Sequence, residues 1–143
     1  AGSTEDIKNE IDRMVREEKL SLKQAECIKL KDIDTFAGSS IGERIKRAYA
    51  YGGVKREQPF VFEYDRQLVQ GVIDLYFIED GQLVIVDYKT DRVLRGRAGE
   101  DELRRRYSIQ LDYYAMALSQ ITGLKVKEKV IYSFALGRSL TVE

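Results

Sequence analysis

Two aspartates and a lysine in the middle of the chain have the types and spacing expected of a metal-binding site that could support catalysis. Asp74 lies six residues before Asp80, Asp87 lies six residues after Gly81, and Lys89 follows two positions later. Asp-Gly between apolar segments is a strong signal for a two-residue hairpin turn. That turn would place the aspartates opposite each other, with Cβ atoms ~4.5–5.5 Å apart, and would point Lys89 to the same face. A three-residue loop with a bulge would shift this register.

The surroundings of these aspartates make a bound cation the favoured interpretation. The flanking segments are apolar on both faces, as in a central strand: Gly71-Val72-Ile73, Leu75-Tyr76-Phe77 and Leu83-Val84-Ile85-Val86. Opposed carboxylates in such a place repel and resist ionisation unless a cation is present, and oxygen ligands select Mg²⁺ or Mn²⁺. The alternative is a salt-bridge network of Asp74, Asp87 and Lys89 that serves stability alone. Burying three charges is costly, which favours the functional interpretation.

Composition excludes several other kinds of chemistry. The 143 residues contain no histidine and one cysteine, Cys27, so a histidine base, a histidine-bound zinc and an internal disulfide are all excluded. The hydrophobic fraction of 43% and charged fraction of 34% are typical of one globular domain. No apolar run approaches the ~20 residues that span a bilayer, and we expect a cytoplasmic protein without membrane partners.

The periodicity of apolar residues predicts an α/β domain around one mixed sheet. Helical spacing extends from Thr4 to about Leu30, with a second helix capped by Ser21, and a helical turn covers Ile33 to Phe36. Next comes a helix capped by Ser40 and stopped by Gly52-Gly53, followed by strands over Val54–Tyr64, Leu68–Ile78 and Gln82–Tyr88. A helix over Glu100–Ile121 closed by Gly123, a strand over Val126–Leu136 and a tail complete the prediction. Residues 4–52 would form a helical part and residues 53–136 the catalytic core of one domain.

Three motifs in this core resemble those of a known nuclease family. The segment Gly71-Val72-Ile73-Asp74, followed by Val86-Asp87-Tyr88-Lys89-Thr90-Asp91, resembles the PD-(D/E)xK nucleases of the RecB type. Gln110 and Tyr114 fit the Gln-x-x-x-Tyr motif that these nucleases carry on the next helix. Arg56-Glu57-Gln58-Pro59-Phe60 is similar to the AddA-type nuclease domains of bacterial helicase–nucleases. The resemblance implies a restriction-endonuclease-like fold.

The resemblance also implies roles for individual residues. Asp74, Asp87 and the main-chain carbonyl of Tyr88 would bind Mg²⁺, which Mn²⁺ could replace. Lys89 would orient or help deprotonate the attacking water and stabilise charge on the phosphate. Gln110 and Tyr114 lie on one helix face, so they would orient Lys89 or contact the DNA backbone, or simply pack the helix.

The segment after the third strand is rich in arginine, which suggests a surface for DNA phosphates. Arg92, Arg95 and Arg97 follow the predicted catalytic strand directly and would hold the backbone, although interspersed acidic residues also fit a solvated surface. Glu57 is a further candidate acidic site residue, with a solvated strand position as the alternative. Tyr107 and Tyr113 are interpreted as core residues.

The family resemblance leads to a function and to two alternatives. We expect a Mg²⁺-dependent DNA exonuclease domain that cuts single strands unwound by attached helicase domains, in bacterial double-strand-break repair with an AddB-type subunit. RecB-type nucleases commonly carry a metal-binding histidine upstream, which this sequence lacks, and no nucleotide-binding loop of the Walker type is present. Either the chain is a fragment of a larger protein or the site is incomplete. One alternative function is a catalytically silent DNA-binding or scaffolding module, and the other is a free-standing nuclease or resolvase of the same superfamily.

Overall fold

The computed structural model describes residues 30–143. The helices predicted upstream, including the one capped by Ser21, lie outside the described residues. The elements, in chain order, are α1 (Leu30–Ala37), α2 (Ser40–Ala50), β1 (Val54–Tyr64), β2 (Gln67–Glu79), β3 (Gln82–Lys89), α3 (Arg97–Thr122), β4 (Val126–Ser133) and β5 (Arg138–Val142). None of the helices within this part of the chain is long and apolar enough to cross a membrane.

The five strands form one mixed sheet in the order β1-β2-β3-β4-β5. Every neighbouring pair is antiparallel except β3 and β4, which are parallel and connected through α3. A parallel pair needs such a crossover because a short turn cannot return the chain to the same end of the sheet. The predicted α/β fold with a mixed sheet is confirmed.

Each face of the sheet carries its own apolar cluster, so β3 is covered on both sides. Leu83 and Ile85 pack with α3 on one face, whereas Val84 and Val86 pack with α1 and α2 on the other. All four of these β3 side chains are fully buried. The continuous apolar run in β3 is therefore the signature of a central strand, as predicted.

The hairpin between β2 and β3 has the predicted turn and register. Asp80 and Gly81 both adopt positive φ, +52° and +74°, as a two-residue turn of type I′ requires. Glu79 pairs with Gln82, and the same register continues to Leu75 opposite Val86. Asp74 and Asp87 are the next residues on each strand, so the equal spacing from the turn brings them to the same end of the hairpin.

An ionic network fixes the turn end of this hairpin. The Arg44 guanidinium of α2 bonds Glu79 at 2.9 Å and Glu128 at 2.5 Å, and Lys127 lies 2.7 Å from the Glu79 carboxylate. The hydrogen bond from Arg44, assisted by Lys127, lowers the pKa of Glu79 to about 2. The network thereby ties α2 and β4 to the end of the hairpin that sets its register.

Two sequence predictions about this fold are wrong. Ser39, and not Ser40, caps α2: its hydroxyl accepts the Gly42 N–H at 3.1 Å and donates to the Phe36 carbonyl at 2.6 Å. The segment after residue 136 is strand β5, paired with β4, rather than a tail. Only two of its residues, Leu140 and Val142, are buried, so its apolar pattern was too short to stand out in the sequence.

Helix α3 begins earlier than predicted and ends where expected. It starts at Arg97, after Gly96, and closes at Gly123, whose φ of +72° is the left-handed conformation that glycine favours at a helix end. Arg97 therefore belongs to the first helical turn, whereas Arg92 and Arg95 lie in the loop between β3 and α3.

Candidate active site

The two predicted carboxylates meet where β2 and β3 separate beyond their last pair. The Asp74 carboxylate accepts a hydrogen bond from the Tyr88 main-chain N–H at 2.9 Å. Burial, and next the charge of Asp87, raise the pKa of Asp74 well above its usual value. Asp87 itself is 2% exposed. The structure therefore brings two acidic groups together in a place that favours only one of them as an anion.

Near the two carboxylates, the side chains of β2 and β1 no longer alternate regularly between the two faces of the sheet. Ile73 packs on the α3 face, yet Leu75 and Phe77 pack on the opposite face, although odd-numbered residues of a regular strand share one face. On β1, Glu57 has a φ of +50° and is skipped between the paired residues Arg56 and Gln58. The irregularity thus lies at the same level of both strands, at Asp74 and Glu57.

Glu57 consequently lies level with Asp74 on the neighbouring strand and is partly buried. The structure does not, however, gather a third acidic side chain at the site. Within residues 30–143 no group of three or more histidine, cysteine or acidic residues is arranged to hold a metal ion. Glu57 stays a prediction as a site residue.

Lys89 is held over the carboxylates by contacts from two sides. Its ammonium lies 2.9 Å from Asp87 Oδ2 and donates a hydrogen bond to Gln110 Oε1 at 3.2 Å. The same nitrogen lies 4.0 Å above the centre of the Tyr107 ring. With 17% of the side chain exposed, Lys89 sits between the sheet and α3. The predicted contact between the Gln-x-x-x-Tyr helix and Lys89 is thus made by Gln110.

Tyr114 lies deeper than Gln110 and is mostly buried against β1. Its ring packs edge-on against Phe60 at 5.4 Å, and Gly71 leaves room for both rings. Burial, and next the charges of Asp87 and Asp74, raise the Tyr114 pKa above its usual value. Tyr114 therefore forms part of the wall behind the carboxylates, and it both packs the helix and lies close to the site.

Sequence reasoning missed the role of Tyr107 at this site. Its hydroxyl donates to Asp91 Oδ2 at 2.5 Å, and Arg106 donates to the same oxygen at 3.0 Å. Burial, together with Asp91, raises the Tyr107 pKa to about 12, so the hydroxyl keeps its proton at neutral pH. The available signal was its position three residues before Gln110, on the same helix face.

The donor set fits a divalent cation such as Mg²⁺. Asp87 Oδ2 is buried and lies 2.9 Å from the Lys89 ammonium, beside the Asp74 carboxylate. The Tyr88 side chain packs on the opposite face against Phe36 and Phe134. One or two carboxylates are what protein sites for Mg²⁺ usually supply, the rest being water and substrate oxygens.

The arginines predicted to hold DNA lie on the surface, in the segment that follows β3. Arg92 and Arg95 are exposed and form no ion pair within the described part of the chain. Arg97 is 94% exposed and lies 3.9 Å from Asp101. Arg106, by contrast, is engaged by Asp91 and Glu102. The first three are therefore available to an anionic ligand.

Comparison with known proteins agrees with this geometry. The model of the PD-(D/E)XK nuclease superfamily matches residues 3–140. Among curated proteins, an ATP-dependent helicase/nuclease subunit of Thermoanaerobacter sp. (strain X514) is 40% identical over 96% of this chain, and that of Acetivibrio thermocellus is 40% identical over 95%. The Clostridium kluyveri protein of the same name is 36% identical over 94%. The chain spans about 12% of the length of each relative.

The family model covers the strands that carry Asp74, Asp87 and Lys89, and the structure brings these three residues together beside α3. By its family model and by its fold, the chain belongs to the PD-(D/E)XK nuclease superfamily.

Proposed function

We propose that this chain is a Mg²⁺-dependent DNA exonuclease domain. The observation that carries the proposal is the pair of buried carboxylates, Asp74 and Asp87, with the Lys89 ammonium 2.9 Å from Asp87 Oδ2. Two mutually repelling carboxylates are stabilised by a cation, and a positive side chain beside them suits a phosphodiester.

Asp74, Asp87 and the Tyr88 carbonyl would hold the cation, with Mn²⁺ as a substitute for Mg²⁺. A cation bound there supplies Lewis-acid stabilisation of negative charge on the phosphate and acidifies a nearby water molecule. Tyr88 fits this role because its N–H bonds Asp74, and the N–H and C=O of one strand residue point to the same side of the strand. The donors are all oxygens, as hard cations require.

Lys89 and Gln110 would act on the phosphate and on the attacking water. The ammonium is a point charge with three donors, so it can contact a phosphate oxygen or orient water while it retains a protein partner. Gln110 accepts from the ammonium and leaves its amide N–H groups for other acceptors. Tyr114 closes the wall behind the carboxylates and limits the water that reaches them.

The names of the relatives suggest the setting in which this domain works. Proteins called ATP-dependent helicase/nuclease subunits combine two activities and belong to an assembly of more than one polypeptide. We infer that this domain acts with helicase domains and an AddB-type subunit in the bacterial cytoplasm. Its substrate would be single strands released by unwinding, during repair of double-strand breaks.

The exposed arginines Arg92, Arg95 and Arg97 would hold the DNA backbone beside the site. Replacing all three with Ala should lower the affinity for single-stranded DNA at least about tenfold and reduce the salt dependence of binding. The measurement is a titration of a fluorescent oligonucleotide at several salt concentrations. The matched control replaces three exposed cations elsewhere, Arg47, Lys55 and Arg66, with Ala. Equal losses in the two triple variants would contradict a local DNA-binding surface.

The direct test of the proposed function is cleavage of labelled single-stranded DNA with Mg²⁺, with Mn²⁺ or with a chelator. We expect metal-dependent degradation of linear strands and resistance of circular strands, because an exonuclease needs an end. Lys89→Ala and Asp87→Ala should each reduce cleavage roughly a thousandfold, to a small residual rate, whereas Lys55→Ala, at an exposed position on β1, should not. Cleavage at the unaltered rate in both site variants would refute the site assignment.

One result of this test would favour the alternative function. The chain has no histidine, and within residues 30–143 the site gathers two carboxylates rather than three. Retained DNA affinity without cleavage by the unaltered protein would therefore indicate a DNA-binding module.

A further inference from the structure

We propose that Tyr107 is a positioning residue for Lys89: its ring holds the ammonium, and its bond to Asp91 holds the ring. This inference rests on the proposed function insofar as Lys89 acts on the phosphodiester. Tyr107 lies outside the Gln-x-x-x-Tyr motif, and its own hydroxyl faces Asp91 rather than the two metal-binding carboxylates.

Several contacts together fix the flexible side chain of Lys89. Lysine has four rotatable carbon bonds, so a single partner leaves its ammonium free to move. Here the ammonium contacts Asp87, Gln110 and the ring face of Tyr107. Tyr107 and Gln110 are three residues apart on α3 and thus form one continuous support. A cation at 4.0 Å from an aromatic ring centre is within the range of a stabilising contact.

Without its bonds to Tyr107 and Arg106, Asp91 would compete with Asp87 for the Lys89 ammonium. It lies two residues further along the chain, and a free carboxylate there could draw the ammonium away from Asp87. Its Oδ2 instead accepts from the Tyr107 hydroxyl and from Arg106. Tyr107 therefore supports Lys89 with its ring and occupies the competing anion with its hydroxyl.

A cation bound at Asp87 would share the negative charge of this carboxylate with Lys89. The ion pair between Asp87 and Lys89 weakens when the carboxylate has a second positive partner, because the charge is divided. The contacts from Gln110 and Tyr107 do not depend on the carboxylate. They would keep the ammonium in place when the electrostatic contact no longer does so.

A chemical-labelling experiment tests this without metal or DNA. The protein reacts with an amine-selective acylating reagent in the presence of chelator, and peptide mass spectrometry measures the labelling rate of Lys89 relative to Lys55. The ring-free variants Tyr107→Leu and Tyr107→Met should raise the relative rate about fivefold, whereas Tyr107→Phe, which keeps the ring and loses only the bond to Asp91, should raise it about twofold. Met fills irregular apolar space and keeps the test open if Leu lowers stability too far.

Tyr113→Leu is the matched control for the labelling experiment. Tyr113 is partly buried on the same helix, but it packs against Phe62 and Tyr64 rather than Lys89. Its replacement should leave Lys89 labelling unchanged. Unchanged labelling in the folded ring-free Tyr107 variants, or equal increases in these variants and in Tyr113→Leu, would overturn the proposal.

The kinetic consequence is tested in a double-mutant cycle. The ring-free variants should lower kcat for DNA cleavage about tenfold with little change in KM, and Tyr107→Phe should recover most of that loss. In a Lys89→Ala background the same substitutions should have no further effect on residual activity. An equal loss in both backgrounds would overturn positioning through Lys89. If the unaltered protein cleaves no DNA, the proposed function fails, while the labelling result still decides the position of Lys89.

Discussion

Replacing Asp74 with Asn should nearly abolish DNA cleavage and at the same time make the metal-free protein more stable. Asn keeps a side-chain oxygen that can accept the Tyr88 N–H bond, but it removes the charge that faces Asp87. Loss of a charged metal ligand removes several kcal/mol of transition-state stabilisation, so cleavage should fall roughly a thousandfold. The opposite signs of the two effects distinguish a functional carboxylate from a structural one.

The gain in stability follows from the raised pKa of Asp74. An acid whose pKa is raised by folding loses stabilisation as the pH increases through that pKa. The advantage of Asp74→Asn should therefore be absent near pH 4, where the ordinary carboxyl begins to titrate, and should grow toward pH 8. We expect the free energy of unfolding to rise by about 1–2 kcal/mol at pH 8.

Chemical denaturation at several pH values, with chelator or with Mg²⁺, measures this effect. Mg²⁺ should stabilise the unaltered protein and leave Asp74→Asn almost unchanged, because a ligand stabilises only the state that binds it. Asp65→Asn is the control, since Asp65 is exposed in the turn between β1 and β2. A lower stability of Asp74→Asn at pH 8 without metal would show that Asp74 has a structural role.

Replacing Gly42 with Ala should destabilise the protein by about 2–4 kcal/mol. A β-carbon at this position would lie 2.2 Å from the Phe36 carbonyl oxygen and 2.9 Å from that of Ala37. Both obstacles are main-chain atoms, so relief requires α1 and α2 to move apart. The Ser39 cap connects the same two turns, and Phe36 packs on the sheet opposite the candidate site.

Urea denaturation monitored by circular dichroism measures the loss at Gly42. Gly38→Ala is the control, because its β-carbon would meet only the Asp34 carbonyl at an ordinary 3.5 Å. Gly38 lies in the connection between α1 and α2, and Gly42 lies in the first turn of α2, so their comparison separates the close approach from the general difference between Gly and Ala. Similar stabilities of the two variants would show that α1 and α2 tolerate separation.

The sequence by itself determined the features that depend on short-range geometry. The Asp80-Gly81 turn requires positive φ at both residues, and this fixed the register that carries Asp74 and Asp87 to one end of the hairpin. Strand alternation placed Lys89 on the side of Asp87, where their ion pair is observed. These outcomes were predictable because turn type and residue period depend on neighbours in the chain.

Only the tertiary structure decided the features that depend on contacts between layers. The alternation of side chains along β2 shifts at Asp74, and β1 is irregular at Glu57, at the same level of the sheet. No local sequence pattern predicts this, because two strands must deviate together. Strand β5 was too short to identify before its pairing with β4 was seen. Its two buried residues gain their apolar environment only from the assembled sheet and α3.

Lys89 illustrates the same division within a single side chain. Its type and spacing marked it as a site residue, but its surroundings came from a helix about twenty residues further along the chain. The spacing of Tyr107, Gln110 and Tyr114 places all three on one helix face. The packing of α3 against β3 decided their different roles: Tyr107 lies beneath the ammonium, Gln110 bonds it, and Tyr114 is buried behind the carboxylates. Helix periodicity places side chains on one face, but how deeply each of them is buried depends on the surface against which the helix packs.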